Sequence, residues 1–296
     1  MVRHLALLFL LASIWGSSFM AIKVGVETIP PLTLAAARVM LATVVLWGFA
    51  RLRGESLPRG GRIWLYFFLI GIIGNGLPFA LINWGEERID SGLAAILMAV
   101  MPLATVVMAH FFTVGDRMTP VKLAGVVIGF GGVVVLVGPE AGKGLGGDLW
   151  RQLAVSGGAV SYAVAAILAR NMPPAPLIAR SAAVMIVASL VMAPLALAFE
   201  APWTLAPSTG ALLAAAYLGL IPTALATIIL FHLLQNRSAS FIAPINYLIP
   251  VFGVLWGVVV LGEGVSPRAA TALAVILAGM AIAHYQHRPR YTNLQK

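Results

Sequence analysis

The sequence predicts an all-α integral membrane protein: ten transmembrane helices built as two inverted five-helix repeats, with the N- and C-termini cytoplasmic. Three observations carry that prediction. First, the 296-residue chain is 60% hydrophobic and only 10% charged, with a mean hydropathy of +0.97. A soluble domain carries about 25% charged residues, so this chain lacks the polar surface to cover itself in water. Second, the apolar residues fall in runs as long as a bilayer core is thick. Third, one unit occurs twice. Ser91, Pro102, Gly115-Asp116, Thr119-Pro120 and Gly132 recur as Ser240, Pro250, Gly262-Glu263, Ser266-Pro267 and Gly279, offset by 149 residues at the serine, 148 at the first proline and 147 thereafter.

Taken in order, the helices are expected over residues 5–26, 32–51, 62–85, 91–112, 120–138, 150–170, 177–199, 209–236, 239–261 and 266–286. Leu5 to Ile22 contains no charge and spans roughly 27 Å as a helix, close to a hydrocarbon core. It exceeds a signal peptide's apolar region and no small-residue cleavage site follows, so helix 1 is expected to be retained. The run Thr28-Ile29-Pro30-Pro31 between helices 1 and 2 matches Asn171-Met172-Pro173-Pro174 between helices 6 and 7. Helices 3, 4, 8 and 9 carry internal prolines at Pro78, Pro102, Pro222 and Pro250. Residues 1–141 form the first repeat and 150–296 the second, joined by a glycine-rich periplasmic connector over 142–149.

Charge placement sets the orientation. Of the nineteen basic residues, thirteen (Arg3, Arg51, Arg53, Arg59, Arg62, Arg117, Lys122, Arg170, Arg180, Arg237, Arg288, Arg290 and Lys296) collect at one set of helix ends. The opposite ends hold only Lys23, Arg88, Lys143, Arg151 and Arg268. Short loops rich in Lys and Arg stay in the cytoplasm, which fixes both termini there. Five helices per copy is an odd number, so the second copy enters from the opposite side. The net charge of +9 is thus topological, and no basic soluble module points to nucleic acid. The chain has no cysteine, which excludes disulfides and thiolate metal sites.

Two inverted halves create a cavity near the midplane that opens to either side as the halves exchange conformations, the usual plan of a transporter. The prolines fit that motion. Pro78 pairs roughly with Pro222, and Pro102 with Pro250; each removes a backbone donor and bends its helix, so all four are candidate hinges. Helices 5 and 10 read as scaffold, with Gly125, Gly129 and Gly132 on one and Ala270, Ala274 and Ala278 on the other permitting close approach, either within one chain or in a homodimer; a monomer suffices.

The topology, with Pro31, Arg38, Pro102 and Gly115-Asp116 in one half and Pro174, Pro250 and Gly262-Glu263 in the other, resembles the EamA family of the drug/metabolite transporter superfamily over nearly the whole chain. Within that family it resembles the YddG-type aromatic amino-acid exporters. The resemblance implies metabolite export across the cell (inner) membrane through a central cavity walled by helices 1, 3, 4, 6, 8 and 9.

Residues on those helices supply candidate substrate contacts. Trp15 and Phe19 share a face of helix 1, four residues apart. Phe79, Met98, Met101, Tyr162, Tyr217 and Tyr247 complete an apolar, adaptable wall, with Asn75 and Asn246 as polar orienting groups. Packing between helices is the competing role for each. Arg38 lies two turns inside helix 2 and is expected to be structural, because that helix is peripheral. His232 is the embedded group that titrates near neutral pH, hence the candidate for proton coupling. All ten acidic residues fall in loops or at helix ends, with Glu86, Glu87, Arg88 and Asp90 read as a solvated periplasmic loop. A cation exporter wants a buried carboxylate, so neutral or zwitterionic substrates fit better, amino acids with large side chains above all. A multidrug/proton antiporter of the same superfamily is one alternative, and a passive channel or a non-transport membrane protein the alternative of another class. No nucleotide loop, paired-histidine motif or nucleophile elbow is present, so neither an enzyme, a metal nor a cofactor is expected.

Overall fold

A computed structural model describes residues 2–113, 117–142, 148–237 and 239–284. Eight helices within it are long and apolar enough to cross a membrane: α1 (Val2–Gly25), α2 (Pro31–Leu52), α3 (Gly61–Glu86), α4 (Ser91–Phe112), α5 (Pro120–Val137), α6 (Leu149–Asn171), α7 (Leu177–Glu200) and α8 (Thr209–Asn236). Two shorter apolar helices, α9 (Ile245–Leu261) and α10 (Pro267–Ala283), complete the bundle. The Gly115-Asp116 motif, most of the connector and the basic tail lie outside the described residues.

Prolines reshape the long helices locally. Ahead of Pro102, α4 divides into Ser91–Leu97 and Val100–Phe112. The ring of Pro102 removes the donor that Met98 would receive, and the Met98 carbonyl instead accepts the Met101 N–H at 3.0 Å. In α3 and α8 the response is a π segment, Ile72–Gly76 ahead of Pro78 and Gly219–Leu225 around Pro222. The two π segments begin at the same interval that separates Gly115 from Gly262, so the repeat extends into helix geometry. The expected helix over 239–261 is likewise divided, a turn at Ala239–Ile242 preceding α9.

Carboxylates stitch the two repeats together at helix N-termini, where orphan N–H groups and the helix dipole favour an anion. Glu200, ending α7, accepts the Leu32 and Thr33 N–H groups of α2 at 2.9 and 2.6 Å. In the inverted equivalent, Glu55 behind α2 accepts the Ala179 N–H of α7 at 3.0 Å. Glu263 accepts the Ser91 and Gly92 N–H groups of α4, both at 2.8 Å. Gly262, with φ of +69°, ends α9 in the left-handed conformation and turns Glu263 back towards α4.

Helices α5 and α10 pack as a tight pair. A side-chain carbon on Gly125 would stand 2.6 Å from the Gly279 carbonyl, and one on Gly132 would meet Ile276 at 2.7 Å. The contact face of α10 is Ala272, Ile276, Gly279 and Ala283, all buried, whereas the expected row of Ala270, Ala274 and Ala278 is exposed. Both faces have helical spacing, and only the former meets the glycines.

Candidate functional site

Between the repeats lies a cavity of about 320 Å³, at the small end of the range for small-molecule sites. Eight of the described helices line it. From α1 come Trp15, Ser18, Phe19 and Ile22, successive turns of one face; from α3 come Asn75, Phe79 and Ile82; and from α4 Met98, Met101 and Pro102. Tyr162 of α6, Met185 of α7, Pro222, Thr223 and Thr227 of α8, and Asn246, Ile249 and Pro250 of α9 close the ring, with Arg38 of α2. Of the ten residues expected to contact substrate, eight are brought together here.

Tyr217 and Tyr247 are not in the lining. Tyr217 shares a hydrogen bond with the Ser17 hydroxyl at 2.6 Å, and Tyr247 donates to the Met280 carbonyl at 3.0 Å, tying α9 to α10. Asn246 and Tyr247 are neighbours, and adjacent positions on a helix point about 100° apart. For Tyr217 the reason is the π segment that follows it, which rotates the face carrying Pro222 and Thr223 away from the one an unbroken α-helix would present.

The main correction to the wall is Arg38. Helix α2 is not peripheral at this depth: Arg38 is only 6% exposed and, among the described residues, is the sole charged one in the lining. Its Nε donates to the Thr223 hydroxyl at 2.8 Å, and Thr223 donates in turn to the Leu218 carbonyl at 2.7 Å. That carbonyl is the one Pro222 leaves without its helical donor, so the proline, the threonine and the arginine form one chain of consequences. The guanidinium stands 3.8 Å from the Phe79 ring centroid, a cation–π arrangement. Its terminal nitrogens have neither hydrogen-bond nor ion-pair partners among the described residues. Thr223 and Thr227, one turn apart beside Pro222, were the sequence signal for a polar stripe on α8.

Around this charge the lining is aromatic and thioether. Trp15 is anchored by its indole N–H to the Pro222 carbonyl at 3.1 Å, and Tyr162 meets Phe79 edge-on at 6.4 Å. Asn75 donates to the Ile70 carbonyl at 3.3 Å. His232 lies outside the cavity near the inner end of α8, stacked on His4 at 5.9 Å. Arg237 approaches the same His4 at 3.2 Å.

One end of the cavity is sealed. Lys23 donates to the main-chain carbonyls of Glu86 and Ile89 at 2.9 and 2.8 Å, Asn83 donates to the Pro31 carbonyl at 2.9 Å, and Glu263 holds α4. In the orientation set by the basic residues this is the outer end. Glu86 overturns its sequence reading as a solvated loop residue: it is 0% exposed. Glu87 is an exposed partner of Arg151, whose guanidinium lies 3.9 Å from the Trp84 ring centroid.

Ten apolar helices in two related halves around a central, part-polar cavity define a membrane transporter of the drug/metabolite type. Sequence comparison gives the family: the EamA-like transporter family matches twice, over residues 3–138 and 147–285, and the chain belongs to it. It is 30% identical over 279 residues to the uncharacterized inner membrane transporter YedA of Escherichia coli K12, covering 93% of this chain and 88% of that one. It is 28% identical over 270 residues to a probable terminal-alkyne amino-acid exporter of Streptantibioticus cattleyicolor, covering 90% and 89%. A crystal structure at 23% identity shares the fold over 96% of both chains, with a TM-score of 0.69.

Proposed function

We propose that this protein is an inner-membrane exporter of small amphipathic metabolites bearing a carboxylate, amino acids with large apolar or aromatic side chains first among them, working by alternating access. The observation that carries this reading is the unpaired guanidinium of Arg38 in an otherwise uncharged aromatic cavity. A buried cation without a counter-ion favours an anionic ligand group, while Trp15, Phe19, Phe79, Met98 and Met101 suit an apolar side chain. Among the described residues, no carboxylate lines the cavity to hold an organic cation. The amino-acid exporter among the relatives supports the same class. Pro102 and Pro250, both in the lining, are the proposed hinges, with Pro78 just after one π segment and Pro222 within the other.

The test is uptake of labelled phenylalanine, threonine and a lipophilic cation into liposomes holding the purified protein. Saturable phenylalanine transport with counterflow, and no cation transport, is expected. Transport of the cation in preference to both amino acids refutes the reading and favours a multidrug antiporter.

A further inference from the structure

Glu86 is an acidic side chain enclosed on every side: it is 0% exposed and neither carboxyl oxygen has a hydrogen-bond partner among the described residues. It ends α3 at the sealed outer end, one helical turn beyond Ile82 of the cavity lining. Among the described residues, none of the charged groups around it donates to its carboxyl oxygens. Lys23 of α1 gives its ammonium protons to the main-chain carbonyls of Glu86 and Ile89, not to the carboxyl group. Arg38 of α2 is held by Thr223, and both oxygens of Glu263, behind α9, are held by Ser91 and Gly92. Lys23, Arg38 and Glu263 all lie within electrostatic reach of Glu86. From α6, Arg151 pairs with Glu87, and Arg88 and Asp90 of the same turn are exposed.

A carboxylate closed in without donors loses its hydration and regains nothing. The neutral acid suits the sealed end, and the ionised form suits a state in which water reaches α3. We propose that Glu86 is a proton site of the outer gate: the gate closes over the neutral acid, so each closure takes up one proton and each opening to water releases it. The proton adds to a carboxylate oxygen and leaves from the same group. The gate is then the parting of Lys23 from the carbonyls at the end of α3, and its equilibrium depends on outer pH whatever the substrate is. Because the inference rests on the geometry of the seal, its failure leaves the reading of the cavity standing.

The chain has no cysteine, so two spin labels at Glu27→Cys and Arg88→Cys, both exposed at the outer ends of α1 and α3, report the gate alone. The distance between them, measured by pulsed electron resonance in lipid, should shift towards the short, closed population as pH falls. The open-to-closed ratio should change by about tenfold per pH unit on the titrating limb, the slope of one proton. Adding the neutral isostere Glu86→Gln should hold the gate closed at every pH. In parallel, infrared spectra at neutral pH should show a protonated carboxyl stretch in the wild type that Glu86→Gln removes. A distance distribution indifferent to pH in the otherwise wild-type chain overturns the proposal. So does a pH profile that survives Glu86→Gln, or the absence of a carboxyl band attributable to Glu86.

Discussion

Replacing Arg38 with methionine separates a carboxylate-binding role from a structural one. The side chain is nearly buried in the cavity lining, spends one N–H on Thr223 and leaves its terminal nitrogens without a hydrogen-bond or ion-pair partner among the described residues. A substrate carboxylate accepting two charge-assisted hydrogen bonds there gains about 1.5–3 kcal/mol from each. Desolvation of the carboxylate consumes part of that, so we take a net of about 3 kcal/mol, or about a hundredfold in affinity. The cation–π contact with Phe79, worth about 1–2 kcal/mol where solvent is excluded, is lost whether or not ligand is bound and cancels from a binding comparison. Phenylalanine and its carboxamide are therefore compared by calorimetry on wild-type and Arg38→Met protein in the same detergent. The wild type should prefer phenylalanine by about a hundredfold, and Arg38→Met should bind both weakly and alike. Thr223 keeps its bond to Leu218 in the variant, so the π segment and the fold should persist. If Arg38→Met weakens both ligands equally and keeps the wild-type preference, the guanidinium does not touch the carboxylate and the reasoning fails.

Other substitutions probe the frame. Gly279→Ala should lower the unfolding temperature markedly, because its new carbon would stand 2.6 Å from the Gly129 Cα and overpacking of this kind costs about 1–3 kcal/mol; an unchanged melting curve in detergent contradicts the α5–α10 packing. Glu200→Ala strips the cap from α2 and should cost about 0.5–2 kcal/mol, measured by denaturant unfolding, with a surface carboxylate such as Glu27→Ala as the neutral control. The double change Pro102→Ala with Pro250→Ala should slow turnover by more than it weakens binding. Wild-type turnover in liposomes would remove the hinge role.

The duplication, the ten helices and most of the cavity wall were legible in the chain, because each is a local pattern that survives folding. Trp15 and Phe19 fall on one face of α1 by spacing alone, and the structure extends that face to Ser18 and Ile22. What the chain could not show is depth and rotation. Two rows of small residues on α10 have equal helical spacing, and only the glycines of α5 select between them. The π segments in α3 and α8 add turns of odd register that no hydrophobic pattern signals, and with them Tyr217 left the wall. Tyr247 is a different case, since its adjacency to Asn246 already ruled out a shared face.

Arg38 and Glu86 were misread for one common reason. Each was judged by its distance along its own helix, whereas exposure depends on what neighbouring helices reach. Arg38 is two turns inside α2, but the Pro222 segment of α8 packs on that turn and brings Thr223 to the guanidinium. Glu86 is the last residue of its span, yet α1 extends past it with Lys23, and Glu263 anchors α4 beside it. Inverted repeats make such encounters systematic. The end of a helix in one half meets the start of a helix in the other, as Glu200 meets α2 and Glu55 meets α7. Apart from exposed residues such as Glu87, which pairs with Arg151, an acidic residue at a helix end is therefore either a cap for the opposite half or, where no N-terminus faces it, a buried carboxyl group without a donor. Glu55, Glu200 and Glu263 take the first role. Glu86 takes the second, which is why it stands apart as a group whose charge must change when the outer end opens.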